Sequence, residues 1–517
     1  MSPLALISVS DKTNIITLAQ ILVNKFSYTI LSSGGTAQYL IDNGIPVKRV
    51  SEFTNFPEIL EGRVKTLHPK IHGGILAKRS SQKHLKDLEA NKIEPIDIVV
   101  VNLYPFQQKI AANCSWEEGI ENIDIGGPSM IRSAAKNHND VSILVNHEQY
   151  ETFIELLSQG NIDQAYKTKL AYEAFQHTAI YDAAISDWIS KEKNLNSRFH
   201  FDPYPLAKQL RYGENPHQEA KWYGSRERGW NAANQLQGKE LSYNNLLDLD
   251  SALSTVLEFG YGNDSESRVF PSAAVILKHN NPCGAAIGNS IEDAFQKALK
   301  CDPVSAFGGI VAFNKNVNSE TAHLLCNIFL ECIVAPSFDK AAQEILGTKK
   351  NLRLLQLNKE ILDSDKKIMY KSIMGGVLVQ DKDNKNYNSE EWEIVTKSIP
   401  NEEEMQDLKF SWKICKHVKS NAIVIAKEKT TLAIGAGQMN RVGAAKIALE
   451  ASKDLCKGGV LASDGFFPFA DTVELAGKYG IKAIVQPGGS LRDKESIEMC
   501  NKKNISMIFT NQRPFLH

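Results

Sequence analysis

The chain has 517 residues, too many for one core, and the length predicts two to four domains. Apolar content of 43%, charged content of 23% and a balance of 59 bases against 60 acids describe an ordinary globular protein and exclude a general nucleic-acid binder. Eight scattered cysteines form no C-x-x-C pair and accompany no histidine cluster at zinc spacing, which argues for reduced thiols in a cytoplasm and against a structural metal. The N-terminus does not read as a signal peptide, and no apolar run approaches a membrane span.

Leu4 to Val9 reads as a short buried strand, with Ser10-Asp11-Lys12-Thr13 as the N-cap of a helix through about Asn24. A second strand, Tyr28 to Leu31, ends in Ser32-Ser33-Gly34-Gly35-Thr36, and a helix over Gln38–Asn43 follows. Strand, Ser-Gly-Gly-Thr, helix is a phosphate cradle in which backbone N–H groups, hydroxyls and a helix N-terminus meet an anion. The plain alternative is a tight turn, because no Walker pattern or complete G-x-G-x-x-G occurs. Gly62-Arg63-Val64-Lys65-Thr66-Leu67-His68-Pro69-Lys70-Ile71-His72-Gly73-Gly74 gathers cations and imidazoles with no acid among them, and points to an anionic ligand. Ile96 to Val101 reads as a central parallel strand that delivers Asn102-Leu103-Tyr104-Pro105-Phe106 to its end. Asn122-Ile123-Asp124-Ile125-Gly126-Gly127-Pro128 reads as a turn before a helix that carries Arg132, Lys136 and His138.

Residues 147–190 read as helical, and a polar linker is expected at 191–204. Beyond it lie Leu210-Arg211-Tyr212-Gly213-Glu214-Asn215-Pro216-His217-Gln218 and Leu241-Ser242-Tyr243-Asn244-Asn245. For Asn244-Asn245 the plain alternative is a helix cap. Ala273 to Leu277 is an apolar run that reads as a buried strand, followed by Lys278-His279-Asn280-Asn281-Pro282-Cys283-Gly284. A cation and an imidazole thus leave a strand end together, with Asn-Pro and Gly expected to turn the chain. Phe307-Gly308-Gly309, Asn421, Gly435-Ala436-Gly437, Arg441, Ser463-Asp464-Gly465-Phe466-Phe467-Pro468, Asp471 and the terminal Pro514-Phe515-Leu516-His517 complete the polar turns. Asn440 stands where a dinucleotide fingerprint needs its third glycine. No repeat or low-complexity tract is visible.

The segments Ser8 to Lys12, Ser33 to Thr36, Gly62 to Pro69, Asn102 to Phe106 and Ile123 to Gly127 resemble the IMP cyclohydrolase half of the bifunctional AICAR transformylase/IMP cyclohydrolase family, departing from its usual pattern at Glu61. Arg211 to Gln218, Ser242 to Asn245 and the Lys278 stretch resemble the transformylase half. The resemblance implies an α/β protein: an N-terminal methylglyoxal-synthase-like, Rossmann-type domain over 1–190, then two cytidine-deaminase-like α/β subdomains over 205–517 with a break near 360–400. It implies formyl transfer from 10-formyltetrahydrofolate to the 5-amine of AICAR, then dehydrative closure of formyl-AICAR to IMP. By resemblance Lys65, Tyr104, Asp124 and Lys136 serve cyclisation, with Ser8, Lys12, Ser33, Gly34, Gly35, Thr36, Arg63, Thr66, Asn102 and Gly126 holding the nucleotide. Lys278, His279 and Asn421 serve transfer. Arg211, Tyr212, Asn245, Phe307, Gly308, Gly309, Arg441, Phe515 and His517 bind its nucleotide, and Phe466, Pro468 and Asp471 the reduced folate. A homodimer, a structural potassium ion and no catalytic metal are implied as well.

The chemistry suits those residue types. The AICAR amine is a poor nucleophile, so transfer needs a nearby base and a donor to the tetrahedral oxyanion. His279 suits proton transfer near neutrality, and Lys278 suits the oxyanion or the departing folate nitrogen. Two rivals are a phosphate-sensing module without a catalytic set, and a zinc deaminase built on Pro282-Cys283. The deaminase signature needs a second cysteine three residues after the first, and that position holds Ala286.

Overall fold

The structure is a computed structural model that describes residues 2–195, 204–225, 228–262, 269–363, 368–383 and 389–517. It divides into two compact units, Met1–Pro203 and Tyr204–His517. Most of the expected linker, 196–203, and parts of the expected 360–400 break, 364–367 and 384–388, lie outside the described residues.

In the first unit β1 (Leu4–Ser8), β2 (Thr29–Ser32), β3 (Val47–Arg49), β4 (Ile98–Val101) and β5 (Ser142–Leu144) form a parallel sheet in the order β3-β2-β1-β4-β5. The two strands with the longest uninterrupted burial, β1 and β4, are central because helices cover both their faces. Strand order reverses between them, which opens a crevice at their C-terminal ends. The loops after β1, β2 and β4 meet there: Val9 N–H donates to Thr36 Oγ1 at 3.1 Å, and Ser10 N–H to Asn102 Oδ1 at 2.6 Å.

Several boundaries differ from expectation. The helix expected at Gln38 starts at Gly34, so both glycines lie in its first turn. The Ser10–Thr13 cap is absent. Asp11 Oδ1 takes the Thr13 N–H and hydroxyl, and the helix runs Ile15–Phe26 behind a left-handed Asn14. The 147–190 region splits into Tyr150–Gln159 and a 29-residue helix, Gln164–Glu192, which passes the expected start of the linker.

The second unit carries a small hairpin, β6 (Leu206–Leu210) with β7 (Ala220–Tyr223), and one twelve-stranded sheet. Half of that sheet comes from β8 (Asn234–Gln237), β9 (Ser272–Lys278), β10 (Asn281–Gly288), β11 (Gly309–Phe313), β12 (Leu330–Ala335) and β13 (Arg353–Gln356). A separate hairpin, β14 (Ile368–Ile373) with β15 (Gly376–Asp381), precedes the other half. That half comprises β16 (Glu393–Ile394), β17 (Ile423–Lys427), β18 (Thr430–Gly435), β19 (Val460–Ser463), β20 (Ala483–Gln486) and β21 (Ser506–Phe509). The order is β16-β21-β20-β19-β17-β18-β10-β9-β11-β12-β13-β8, so the halves mirror each other strand for strand and join where β10 pairs β18.

This is a repeat that the sequence conceals. What recurs is a handful of backbone devices at unequal spacing. The strand-end Lys278 donates to Phe307 O at 2.7 Å, and Lys427 to Lys457 O at 3.1 Å. Gly308 (φ 73°) donates its N–H to Phe329 O at 2.8 Å, and Gly458 (φ 77°) to Gly480 O at 2.9 Å. A left-handed conformation at these two turns admits glycine at no steric cost.

The turn expected at Asn281-Pro282-Gly284 is corrected. His279 (φ 54°) and Asn280 (φ 58°) form a two-residue hairpin turn, and Asn281 onward is already β10. Both central residues at positive φ match the twist of the flanking strands. Pro282 is accommodated at a register shift before Gly284, the kind of irregularity where a strand tolerates a missing N–H.

Candidate active sites

In the first unit Gly34, at φ 53°, opens the helix Gly34–Asp42, and a Cβ there would sit 3.4 Å from the Lys65 ammonium. Lys65 therefore reaches the cradle from the Gly62 segment. A Cβ on Gly35 would meet no atom within 4 Å, so that side of the turn is open. Ser33 occupies the N-cap without spending its side chain on a cap bond. Lys12 lies over the Tyr39 ring at 5.8 Å, and Ser8 ends β1.

Two expected ligand-binding residues also hold the loops. Thr36 is buried, and its Oγ1 both accepts from Val9 N–H and donates to Val9 O at 2.9 Å. Asn102 accepts from the Ser10 and Asp11 N–H groups and donates to Asp11 O at 2.9 Å. Arg63 was expected among bases without acids, yet it is ion-paired to Glu121, which arrives from a distant helix.

Asp124 joins Lys65 at this site. Burial raises its carboxyl above the ordinary value, while the Gly127 and Gly126 N–H groups and the Lys65 ammonium act to lower it. Its Oδ1 accepts the Gly127 N–H at 2.8 Å. Gly126 lies against Thr66, whose Oγ1 would be 2.6 Å from a Cβ there. The Asp124 N–H donates to Tyr181 Oη at 2.8 Å, and Tyr181 donates to Asn122 O at 3.3 Å. Sequence reading missed Tyr181, which is one aromatic among many on a 29-residue helix. Tyr104 is 41% exposed and close enough to act electrostatically on Tyr181. Lys136 is not brought to this group. It ends the helix that Gly126 begins, ~15 Å away along the axis, in a groove with Leu76, Arg132, Tyr172 and Phe175.

In the second unit the ends of distant segments converge. Asn281 Nδ2 donates to His279 O at 3.3 Å, and its Oδ1 accepts the Lys419 N–H at 3.0 Å. Lys419 Nζ donates to the His517 carbonyl at 2.8 Å, and the Ser420 N–H donates to Leu516 O at 2.9 Å, so the C-terminus is docked. Asn421 donates through Nδ2 to Gln438 O at 2.7 Å and accepts from Arg441 Nη2 at 2.6 Å. Arg441 also donates to Ser463 Oγ at 3.0 Å and is ion-paired with the buried Asp464. Phe515 packs by Gly465, 2.9 Å from where a Cβ would be, and its ring meets the His517 ring edge-on at 5.7 Å. Asn421, Arg441, Phe515 and His517 thus form one network that reaches His279 through Asn281 and Lys419. Asn281, Lys419 and Asp464 were missed; an acid at the end of a buried strand was the legible signal for Asp464.

Other expected residues stand apart. Asn245 is buried and takes the cap role: its Oδ1 accepts the Ser242 N–H and its own N–H donates to Ser242 Oγ, both at 3.1 Å. Arg211 stacks on Tyr212 at 4.8 Å beside the β6–β7 hairpin. The loop touches the second site's framework where Asn244 donates to Glu214 O. The Phe307 carbonyl holds Lys278, and Gly309 begins β11. Phe466, Pro468 and Asp471 are exposed along the run that leaves Gly465, with Phe467 buried between them.

The zinc-deaminase signature also needs a His-x-Glu triplet upstream of its cysteine, and one lies at His217-Gln218-Glu219, on the loop before β7. Cys283 itself lies in β10, where burial pushes its thiol up to about 12, so it is no ready thiolate ligand. No group of three or more His, Cys, Asp or Glu suited to a metal occurs among the described residues.

Each of the two α/β units thus carries its own cluster of polar and charged side chains at its strand ends. The profile of the AICARFT/IMPCHase bienzyme family matches residues 134–451, and that of the MGS-like domain matches 14–129. The chain is 66% identical to the bifunctional purine biosynthesis protein PurH of Prochlorococcus marinus strain MIT 9515 over 517 residues, covering 100% of both. It is 56% identical to the PurH of strain NATL1A over 518 residues, again covering 100% of both. A crystal structure of ForH aligns over 36% of this chain and 97% of its own, at 33% identity and a TM-score of 0.32. The chain belongs to the AICARFT/IMPCHase bienzyme family. It is a bifunctional purine-biosynthesis enzyme, AICAR transformylase and IMP cyclohydrolase, carrying the last two steps to IMP.

Proposed function

We propose that formyl transfer occurs at the His279 corner of the second unit and cyclisation at the Lys65–Asp124 pair of the first. The observation that carries this reading is the network joining His279, Asn421, Arg441 and His517 from four stretches of sequence. His279 takes a proton from the AICAR amine as that nitrogen bonds the formyl carbon of 10-formyltetrahydrofolate. Asn421 and Lys278 donate to the tetrahedral oxyanion, and the C–N bond to the folate then breaks with protonation of the leaving nitrogen. Lys278 has three N–H donors and spends one on Phe307 O, so two are left for this task. Arg441 orients Asn421. Phe466, Pro468 and Asp471 would face the folate.

In the first unit the phosphate of formyl-AICAR is held at the open Gly34–Gly35 turn by Ser33, Lys12 and Lys65. The carboxamide nitrogen attacks the formyl carbon, a step already favoured by proximity. Asp124, partly desolvated and beside Lys65, accepts and returns the proton that leaves as water; Tyr104 donates to the oxygen. Lys136 is outside this cluster, so the reading rests on Lys65, Tyr104 and Asp124.

The same reading includes a cytoplasmic homodimer with a structural potassium ion. The eight cysteines are free thiols. The β14–β15 hairpin exposes Ile373, Met374 and Leu378, an apolar surface suited to a second copy. Asp464 Oδ2 is buried without a hydrogen-bond partner, but its carboxylate is ion-paired with Arg441 and a single oxygen is not the coordination set a potassium ion needs, so no residue is assigned to the ion. No helix among the described residues is long and apolar enough to cross a membrane.

The test is a pair of variants assayed for both steps. His279→Ala is expected to abolish transfer and spare cyclisation of supplied formyl-AICAR, and Lys65→Ala to do the reverse. Near-normal transfer by the first variant would sink the assignment.

A further inference from the structure

The duplicated halves offer an internal control for the His279 corner. In the first half the Asp248 carboxylate, on the helix Tyr243–Val256, accepts the Asn280 N–H at 2.8 Å. With its amide nitrogen turned inward, Asn280 also reaches Leu247 O at 3.0 Å and Ser251 Oγ at 3.1 Å. The two left-handed residues of the turn are thereby tied to the helix. In the second half Asp407, on the helix Glu402–Cys415, accepts the Glu428 N–H at 2.8 Å and the Lys429 N–H at 2.6 Å. Glu428 and Lys429 are both at φ 52°, and Lys427 precedes them as Lys278 precedes His279. The acid lies 32 residues before the second turn residue in one half and 22 in the other, so no sequence repeat shows it.

We propose that Asp248 is a positioning residue for formyl transfer: it locks the His279–Asn280 turn and so fixes where the imidazole stands. The scaffold does not depend on the imidazole, because the second half builds it around Glu428. Left-handed conformations at two non-glycine residues cost energy and persist when neighbouring groups hold them. A carboxylate receiving turn N–H groups is such a holder. Burial raises the carboxyls of Asp248 and Asp407 alike, and the turn N–H groups act against that in both. Only in the first half does the held turn carry a group able to move a proton near neutrality.

This role rests on His279 acting in transfer, and the experiment separates the two. Asp248→Ala, Asp407→Ala and His279→Ala are made in the full chain, and transfer, cyclisation and thermal unfolding are measured for each. Asp248→Ala is expected to lower transfer kcat about 100-fold, the scale of a misplaced catalytic group, with KM for AICAR within about twofold and cyclisation unchanged. Asp248→Asn keeps an oxygen for the Asn280 N–H and should return kcat to within about fivefold of wild type, since geometry rather than charge is at stake. Asp407→Ala should destabilise the protein to a similar extent and leave transfer kcat unaltered. Asp248→Glu, which displaces the acceptor by one methylene, substitutes for the alanine variant if that does not fold, and should also lose kcat. A wild-type rate in Asp248→Ala or Asp248→Glu, a rate in Asp248→Asn as low as the alanine variant, or an equal loss in Asp407→Ala would overturn the role of Asp248. Transfer persisting in His279→Ala would instead overturn the assignment beneath it.

Discussion

Arg441 bridges Asn421 and Asp464: one guanidinium nitrogen donates to the Asn421 amide oxygen at 2.6 Å, and the other is ion-paired with a carboxylate that has no solvent exposure. Asp464 Oδ1 also accepts the Ala422 N–H at 3.0 Å, so the bridge fixes the backbone just after Asn421. A buried charge left without its partner costs about 3–5 kcal/mol. Arg441→Met is therefore expected to destabilise the second unit by about that amount in chemical denaturation, and to abolish transfer while cyclisation persists. Equal loss of both activities in folded protein would contradict two separate sites.

Asp124 makes the first unit sensitive to pH. Its folded-state carboxyl is raised above 3.8, chiefly by burial, so the folded chain holds this proton more tightly than the unfolded chain. Its contribution is greatest at low pH and declines as pH rises from 3.8 through the raised value. Asp124→Asn should thus raise the melting temperature of the first unit at pH 7, show no gain at about pH 3, where both forms are neutral, and lose cyclisation.

Glu258 behaves oppositely. Burial raises its carboxyl, but His417 and Lys416 outweigh that and hold it at about 2, against an ordinary 4.5. The partners lie at 3.1 Å and 3.0 Å, just after the helix Glu402–Cys415, so the group pins one half of the second unit to the other. Its stabilisation is complete above pH 4.5 and is lost as pH falls toward 2. Glu258→Gln should cost on the order of 3 kcal/mol at pH 7, and the difference from wild type should shrink steadily below pH 4.5 in acid titrations of stability.

Thr36 ties the cradle to β1 through two bonds with the Val9 backbone. Thr36→Val leaves both Val9 groups unpaired in a buried place and should cost about 1–3 kcal/mol in denaturant. Thr36→Ser keeps the hydroxyl and should retain most of the stability, with KM for formyl-AICAR unaltered.

The sequence by itself determined the strands and the turns that end them. Buried apolar runs such as Val99–Val101 and Ala273–Leu277 are short and bounded by turn residues, which favours a strand over a helix, and a glycine pair or a Lys-His step after such a run marks where polar groups can stand. Sequence also placed Lys278, His279, Asn421 and His517 near chemistry by resemblance. Tertiary structure decided which side chains remain free for it. Thr36, Asn102 and Asn245 have the right chemistry for a ligand, and their side chains also bond Val9, Asp11 and Ser242, while Arg63 meets Glu121 at the exposed surface. Lys136 shares a helix with Gly126 but faces another groove, because ten residues of helix separate them. The mirror relation of the two halves is likewise invisible in one dimension. It consists of Lys278 with Lys427 and Asp248 with Asp407, residues that match only because two halves of one sheet, with the same strand order, carry them to equivalent corners. Hydrogen bonds and desolvation depend on distance in space, and the spacing of letters fixes that distance only within a single helix or strand.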